Sequence, residues 1–235
     1  MQELILNSQM QRSKSAKGRE TQHHILQAAL QIFIDHGYGD FSLQKVAASC
    51  GLSRGNVSYY YPTRSALLRD LLDAVVQGYI DEFEEASADD SLSAPEKLLF
   101  IIEAVMTDLG TVETSRFFPE LWALANRNED AREGMQLLYR KAREHIVEIL
   151  KDINPALSDE ERELVGLFIS VSMEGHTPFV GPGTDAHKHL GDLTNIASFA
   201  FLTMAKSITS RDIAALKSQF SGMDRWGACY RERQA

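Results

Sequence analysis

The stretch FSLQKVAASCGLSRGNVSYYYPTRSALLRDLL, residues 41–72, sets the reading of the whole chain. Ser42 stands where a helix needs an N-cap, and Leu43, Val46, Ala47 and Cys50 repeat at helical spacing for two turns before Gly51 stops them. Ser53 caps a second short helix, and Pro62 with Thr63 breaks the chain before a long amphipathic run opening at Arg64. Two short helices joined by a glycine turn are the sequence form of a helix-turn-helix. Spacing alone is a weak signal, because many helical proteins contain such a hairpin, but the residue types sharpen it. Val57 and Tyr61 can face a core, which leaves Arg54, Gly55, Asn56, Ser58 and Tyr59 projecting from the second helix. Arg54 suits guanine acceptors or phosphate, Asn56 can bond adenine in bidentate fashion, and Gly55 permits close approach to a groove. The hydroxyls of Ser42, Tyr59 and Tyr60 suit phosphate oxygens, as does Arg64 at a helix start. Gln44 and Ser53 complete the expected DNA-binding set.

Working outward, residues 1–19 read as a flexible basic arm, with Arg12, Lys14 and Lys17 available to a minor groove or backbone. A first helix is predicted from Thr21, carried by Ile25, Ala28, Ala29, Ile32 and Phe33 and stopped at Gly37. Beyond the quoted stretch the long run ends near Ala86, and Ser93 caps a helix reaching about Leu109. An aromatic run holding Phe117, Phe118 and Trp122 breaks at Asn126–Asn128 before another long helix to about Asp152. Ser158 and Glu161 form a capping-box pattern for a helix to about Gly175. Thr177–Lys188 reads as a loop on Pro178, Gly181, Pro182 and Gly183, followed by helices near 189–207 and 210–220. Nothing reads as a strand, so the expected fold is all-α.

The net charge of −9 over 235 residues argues at first against nucleic acid. The average hides an asymmetry. Residues 1–69 carry eight basic and four acidic side chains, a net +4, so the remainder carries −13. That split suits a polyanion-facing module joined to an acidic body that stays clear of DNA; a chance distribution of solvated charge is the plain alternative. The two cysteines, Cys50 and Cys229, lie far apart and suggest neither a disulfide framework nor a zinc site. With no signal-peptide pattern and no long uncharged apolar run, a cytoplasmic protein without membrane association is expected.

The quoted stretch resembles the DNA-binding core of the TetR family of one-component transcriptional regulators, over about fifty residues once the first helix is included. The family pattern of an aromatic, Ser or Thr and an apolar residue is met by Phe41, Ser42 and Leu43. Its glycine turn and approach to the recognition helix are met by Gly51, Leu52, Ser53, Arg54 and Gly55, its aromatic pair by Tyr60 and Tyr61, and its basic residue opening the fourth helix by Arg64. Asn56 and Ser58 depart from the common residues, which bears on operator sequence. The resemblance implies a domain over 20–66 that binds double-stranded operator DNA and an effector-binding and dimerisation domain over 67–221, with 222–235 a polar tail. It further implies a homodimeric repressor on a palindromic operator, released by a small-molecule effector, with no catalysis and no cofactor.

An effector pocket is expected among Phe100, Val105, Phe117, Phe118, Trp122 and Tyr139, oriented by Arg116, Glu174 or His176, and suited to an apolar or aromatic small molecule. The same residues equally suit a core. For the dimer, Gly166, Ser170, Ala197 and Ala200 would allow close approach beside Leu164, Leu167, Leu193, Ile196 and Phe201, with internal burial the alternative. Two other classes compete. A helical enzyme would draw on His145, Glu174, His176, His187 and His189, which form no diagnostic motif; a protein-interaction module would use the Phe117, Phe118 and Trp122 cluster.

Overall fold

The computed structural model describes residues 15–221. Among these residues there are helices and no strand, in agreement with the all-α expectation. In chain order they are α1 (Ala16–Asp40), α2 (Leu43–Ser49), α3 (Arg54–Tyr60), α4 (Arg64–Ala88), α5 (Ala94–Leu109) and α6 (Val112–Ala125). They continue with α7 (Glu129–Ile153), α8 (Asp159–Glu174), α9 (Thr177–Val180), a 3-10 turn at His187–His189, α10 (Leu190–Ser207) and α11 (Ser210–Ser221).

Most boundaries follow from caps legible in the residues. The hydroxyls of Ser42, Ser53 and Thr63 accept from the backbone N–H of Lys45, Asn56 and Ala66 at 3.3, 3.1 and 3.1 Å. Ser158 and Glu161 bond reciprocally, at 2.8 and 3.3 Å. Two boundaries differ from the sequence reading. The first helix opens at Ala16 rather than Thr21, because Ser15 accepts from Gly18 N at 3.1 Å and starts the turn early. Lys17 therefore lies exposed on α1 and not on an arm, while Arg12, Lys14 and the rest of residues 1–14 fall outside the described residues, as does the 222–235 tail. The segment read as a loop over Thr177–Lys188 contains the single-turn α9 and opens the 3-10 turn, so Gly and Pro interrupt it without making it wholly irregular.

Two apolar cores run end to end. The first joins α1, α2 and α3 to the first half of α4, and it also takes in Phe117, Phe118 and Leu121 of α6 and Ala131 and Leu138 of α7. The second gathers α5, the C-terminal half of α7, α8 and α10 around Ile102, Met106, Leu150 and Ile169. α4 packs chiefly on α7, and α10 on α5. α4 crosses residues 66 and 67 without interruption, so the N-terminal helices are seated on the body and not tethered by a linker. Among the described residues no helix is long and apolar enough to cross a membrane.

Candidate DNA interface and ligand cavity

α2 and α3 are each seven residues long, too short to stand alone in water, and are held by what they bury. Phe41, Val46, Val57 and Tyr61 are inaccessible to solvent and fix both helices against α1 and α4. Gly51 makes the turn between them at φ 66°, a left-handed conformation that any side chain would strain, and Leu52 N donates to Ala47 O at 2.9 Å to close it. This packing leaves Gln44, Ser53, Arg54, Gly55, Asn56 and Tyr59 exposed on one surface, with Ser42, Ser58 and Tyr60 half-buried beside them. Tyr59 is 82 % exposed, its ring edge-on to Tyr60 at 5.1 Å. Lys45 pairs with Asp40 at 2.7 Å, which holds the Asp40 carboxyl below its usual range.

Arg64 is placed differently from the sequence expectation. Its guanidinium donates to the carbonyl of Tyr38 and lies over the Tyr38 ring, 3.6 Å from the centroid, so it is half-buried and committed to the α1–α4 junction instead of reaching for phosphate. The same turn is gripped from the body: Glu120 of α6 accepts from Tyr38 N at 2.6 Å, Arg116 pairs with Asp35 at 3.3 Å, and the Phe117 ring lies 5.1 Å from that of Phe33. The Glu120 contact joins residues 82 positions apart, which no local pattern could signal.

The opposite face of α6 borders a cavity of about 50 Å³ enclosed by α4, α5, α6, α7 and α8. Tyr79, Phe83, Phe118 and Tyr139 supply aromatic wall, Val105 and Met173 aliphatic wall. Two carboxyl groups line it. Asp108 accepts from Tyr79 Oη and Thr114 Oγ1, both at 2.7 Å, while Glu174 accepts from Tyr139 Oη at 3.3 Å and Tyr139 in turn accepts from Trp122 Nε1 at 2.8 Å. Burial, reinforced by the negative charge of Asp108, pushes the Glu174 carboxyl up to about 7 against the pull of the Tyr139 hydroxyl. Burial likewise raises Asp108, whose partners Thr114 and Tyr79 oppose the shift. The phenols of Tyr79 and Tyr139 are raised by burial and by the adjacent carboxylates.

Of the expected pocket residues, Val105, Phe118, Tyr139 and Glu174 line this cavity, and Trp122 touches it through Tyr139. Four do not. Phe100 is 44 % exposed on the outer face of α5, because the helix turns Ile101 and Ile102 inward instead. Phe117 is buried on the α1 side, Arg116 is engaged with Asp35, and His176 folds back so that Nδ1 lies 2.8 Å from Ser172 O. Tyr79, Asp108 and Thr114 also line it, and no local pattern singles them out, because they sit on three helices and meet only in the folded chain. Among the described residues, no group of three or more His, Cys, Asp or Glu could hold a metal, and His187 is taken up by Val180 O at 2.8 Å.

An apolar strip covers the outer face of α8 and α10. Leu164, Leu167, Phe168 and Val171 of α8 and Ile196 and Phe199 of α10 are exposed, Phe199 by 74 %. Other residues expected at a dimer contact are spent internally. Ala197 and Phe201 are buried in the second core, and a Cβ on Gly166 would come within 2.9 Å of Val147, so that glycine serves α7–α8 packing.

Residues 25–71 match the family described as "Bacterial regulatory proteins, tetR family". The chain is 28 % identical over 157 residues to an uncharacterized HTH-type transcriptional regulator in the dhlA 5′ region of Xanthobacter autotrophicus, covering 65 % of this chain and 76 % of that one. It is 26 % identical over 167 residues to the HTH-type transcriptional regulator CymR of Pseudomonas putida, covering 58 % and 82 %. In fold it is similar to a proposed transcriptional regulator of Saccharomonospora viridis in complex with choline, at TM-score 0.64 and 18 % identity over 76 % of this chain and 95 % of that one. It is similar at the same TM-score to a proposed TetR-family regulator of Mesorhizobium loti, with 14 % identity over 81 % and 98 %.

Proposed function

Because this chain belongs to the TetR family of DNA-binding, helix-turn-helix transcriptional regulators, a non-enzymatic family, we propose that it acts as a cytoplasmic homodimeric repressor whose α3 reads a palindromic operator. The observation that carries this reading is the outward face of α3. Arg54, Asn56 and Tyr59 stand exposed together on a helix that packs Val57 into the core, and Tyr59, 82 % exposed, sets a large aromatic in water beside a cationic and an amide group whose donors and acceptors match base edges and phosphate. Arg54, Asn56 and Ser58 supply base or phosphate contacts, with Ser42, Gln44, Ser53, Tyr59 and Tyr60 along the flanking strand. One recognition helix reads too few base pairs for useful specificity, so two copies joined through the α8–α10 strip, with half-sites about 34 Å or a multiple apart, complete the reader. The acidic body is where a small effector with an apolar or aromatic surface binds, in the cavity beside α6, and the choline held by a protein of the same fold supports a ligand-binding role for such a body.

Ligand release follows from linkage: an effector that prefers a form with the wrong separation of recognition helices must weaken DNA binding by the same factor. The test is a gel-shift titration on DNA upstream of the gene at several salt concentrations. Asn56→Ala should relax discrimination at one base pair by roughly 1–3 kcal/mol, and Arg54→Ala should flatten the salt slope by about one. Arg64→Ala should leave that slope unchanged and lower thermal stability instead, since its guanidinium is spent on Tyr38. Parental binding by both α3 variants would overturn the assignment.

A further inference from the structure

Resting on the reading of the α6 cavity as the effector site, we propose that its ligand is a small organic cation, a protonated or quaternary amine, held between the carboxylates of Asp108 and Glu174 and a cage of aromatic rings.

The cavity is built of unlike parts that share one complement. Tyr79, Phe83, Phe118 and Tyr139 surround it from three helices, with Tyr79 and Phe118 ring centroids 5.9 Å apart and Phe118 and Tyr139 6.4 Å apart. Ring faces are the negative end of the aromatic quadrupole and attract a cation, the more so where water is excluded. Into the same space come two carboxyl groups with acceptor capacity to spare. Both hydrogen bonds to Asp108 end on Oδ2 and the one to Glu174 ends on Oε2, so Oδ1 of Asp108 and Oε1 of Glu174 have no hydrogen-bond partner among the described residues. The negative charge of Asp108 is felt at Glu174.

Two buried carboxyl groups that feel each other's charge are costly to ionise together, and the cost falls when a cation enters between them. A neutral apolar ligand would leave both oxygens unsatisfied, and an anion would add a third negative charge. A divalent metal is poorly served, because two carboxylates among aromatic walls leave most of its coordination shell unfilled, and no third acidic, His or Cys ligand joins them among the described residues. The volume of about 50 Å³ holds a few waters, so a compact head group enters as the lining side chains shift outward, and an extended drug is too large.

Calorimetric titration of the full-length protein with four probes of nearly one shape tests this: tetramethylammonium, tert-butylammonium, tert-butanol and pivalate. Both cations are expected to bind at least about tenfold more tightly than tert-butanol, and pivalate to show no binding. Glu174→Gln, nearly isosteric and still able to accept from Tyr139, should lose about tenfold in cation affinity while its affinity for tert-butanol holds or improves. Asp108→Asn should do the same, which keeps the test open if one variant fails to fold, as judged by its melting curve. Equal affinity for cation and tert-butanol, preference for pivalate, no cation binding up to about 10 mM, or cation binding indifferent to both substitutions would each overturn the inference. The effector-site reading stands or falls separately: it fails if molecules that raise the melting temperature and release DNA do so undiminished in Phe118→Ala.

Discussion

Glu174 is the residue whose chemistry the fold has altered most usefully. Its carboxyl holds a proton to about pH 7 where an ordinary one would lose it near 4.5, with burial the largest cause. A carboxyl whose folded value is raised contributes stability that is fully present below the unfolded value and is lost as pH rises through the folded one. The window is therefore pH 4.5 to 7, and the loss is of the order of 3 kcal/mol. Urea denaturation of the ligand-free protein should show the parent losing stability across that window relative to Glu174→Gln, with the variant the more stable above pH 7. Parallel curves for the two proteins would show that Glu174 ionises freely. The same scale shows what residue types can and cannot tell. Ser42, Ser53 and Ser158 act where they stand, on neighbours three residues away, and their roles are legible in the chain. Arg64 also stands at a helix start, but its partner Tyr38 lies 26 residues back, and a guanidinium so employed has a structural task that the motif conceals. Phe100 and Ile101 are neighbours of similar hydropathy, and only the packing of α5 decides that the isoleucine points in and the phenylalanine out.

At the scale of elements, α6 is the part on which both halves of the molecule lean. Glu120 holds the end of α1, where the helix kinks at Gly37 (φ 69°), by accepting from Tyr38 N, and Phe117 closes the aromatic group with Phe33 and Phe41. A partly buried amide left without an acceptor costs about 1–3 kcal/mol. Glu120→Ala should lower unfolding free energy by that amount and speed hydrogen exchange at the Tyr38 amide, whereas Glu120→Gln, which keeps an acceptor, should recover most of both. Unchanged exchange in the alanine variant would mean that the amide is satisfied some other way. Nearly every helix was legible from periodicity and caps because both are local; α9 was not, since a single turn is shorter than any repeat that could announce it. The cavity was half legible for a related reason: the helices that border it were found, but which of their faces converge is a property of how α4, α5 and α8 lie across α6 and α7.

At the scale of the whole molecule, the α8–α10 strip is too apolar to suit a solitary chain. Phe168 is 53 % exposed and sits between Leu164, Leu167 and Val171 on one face, with Ile196 and Phe199 offering a second row. Against a symmetric copy these side chains would form the buried middle of a four-helix contact. Phe168→Asp would set two carboxylates into that contact, so sedimentation at micromolar concentration should show a monomer whose circular dichroism is that of the parent. Its affinity for a full operator should drop at least about tenfold while binding to a single half-site persists. A variant that still sediments as a dimer would move the interface elsewhere.

The two faces of α6 meet at neighbouring side chains: Thr114 and Phe118 look into the cavity, Phe117 and Glu120 hold the α1 turn, and the Phe117 and Phe118 rings touch edge-on at 5.4 Å. Side chains in direct contact couple energetically. A change at 118 that reshapes the cavity therefore also disturbs the ring that seats α1, so whatever fills one side of this helix is felt on the other, and the two sides cannot drift apart independently.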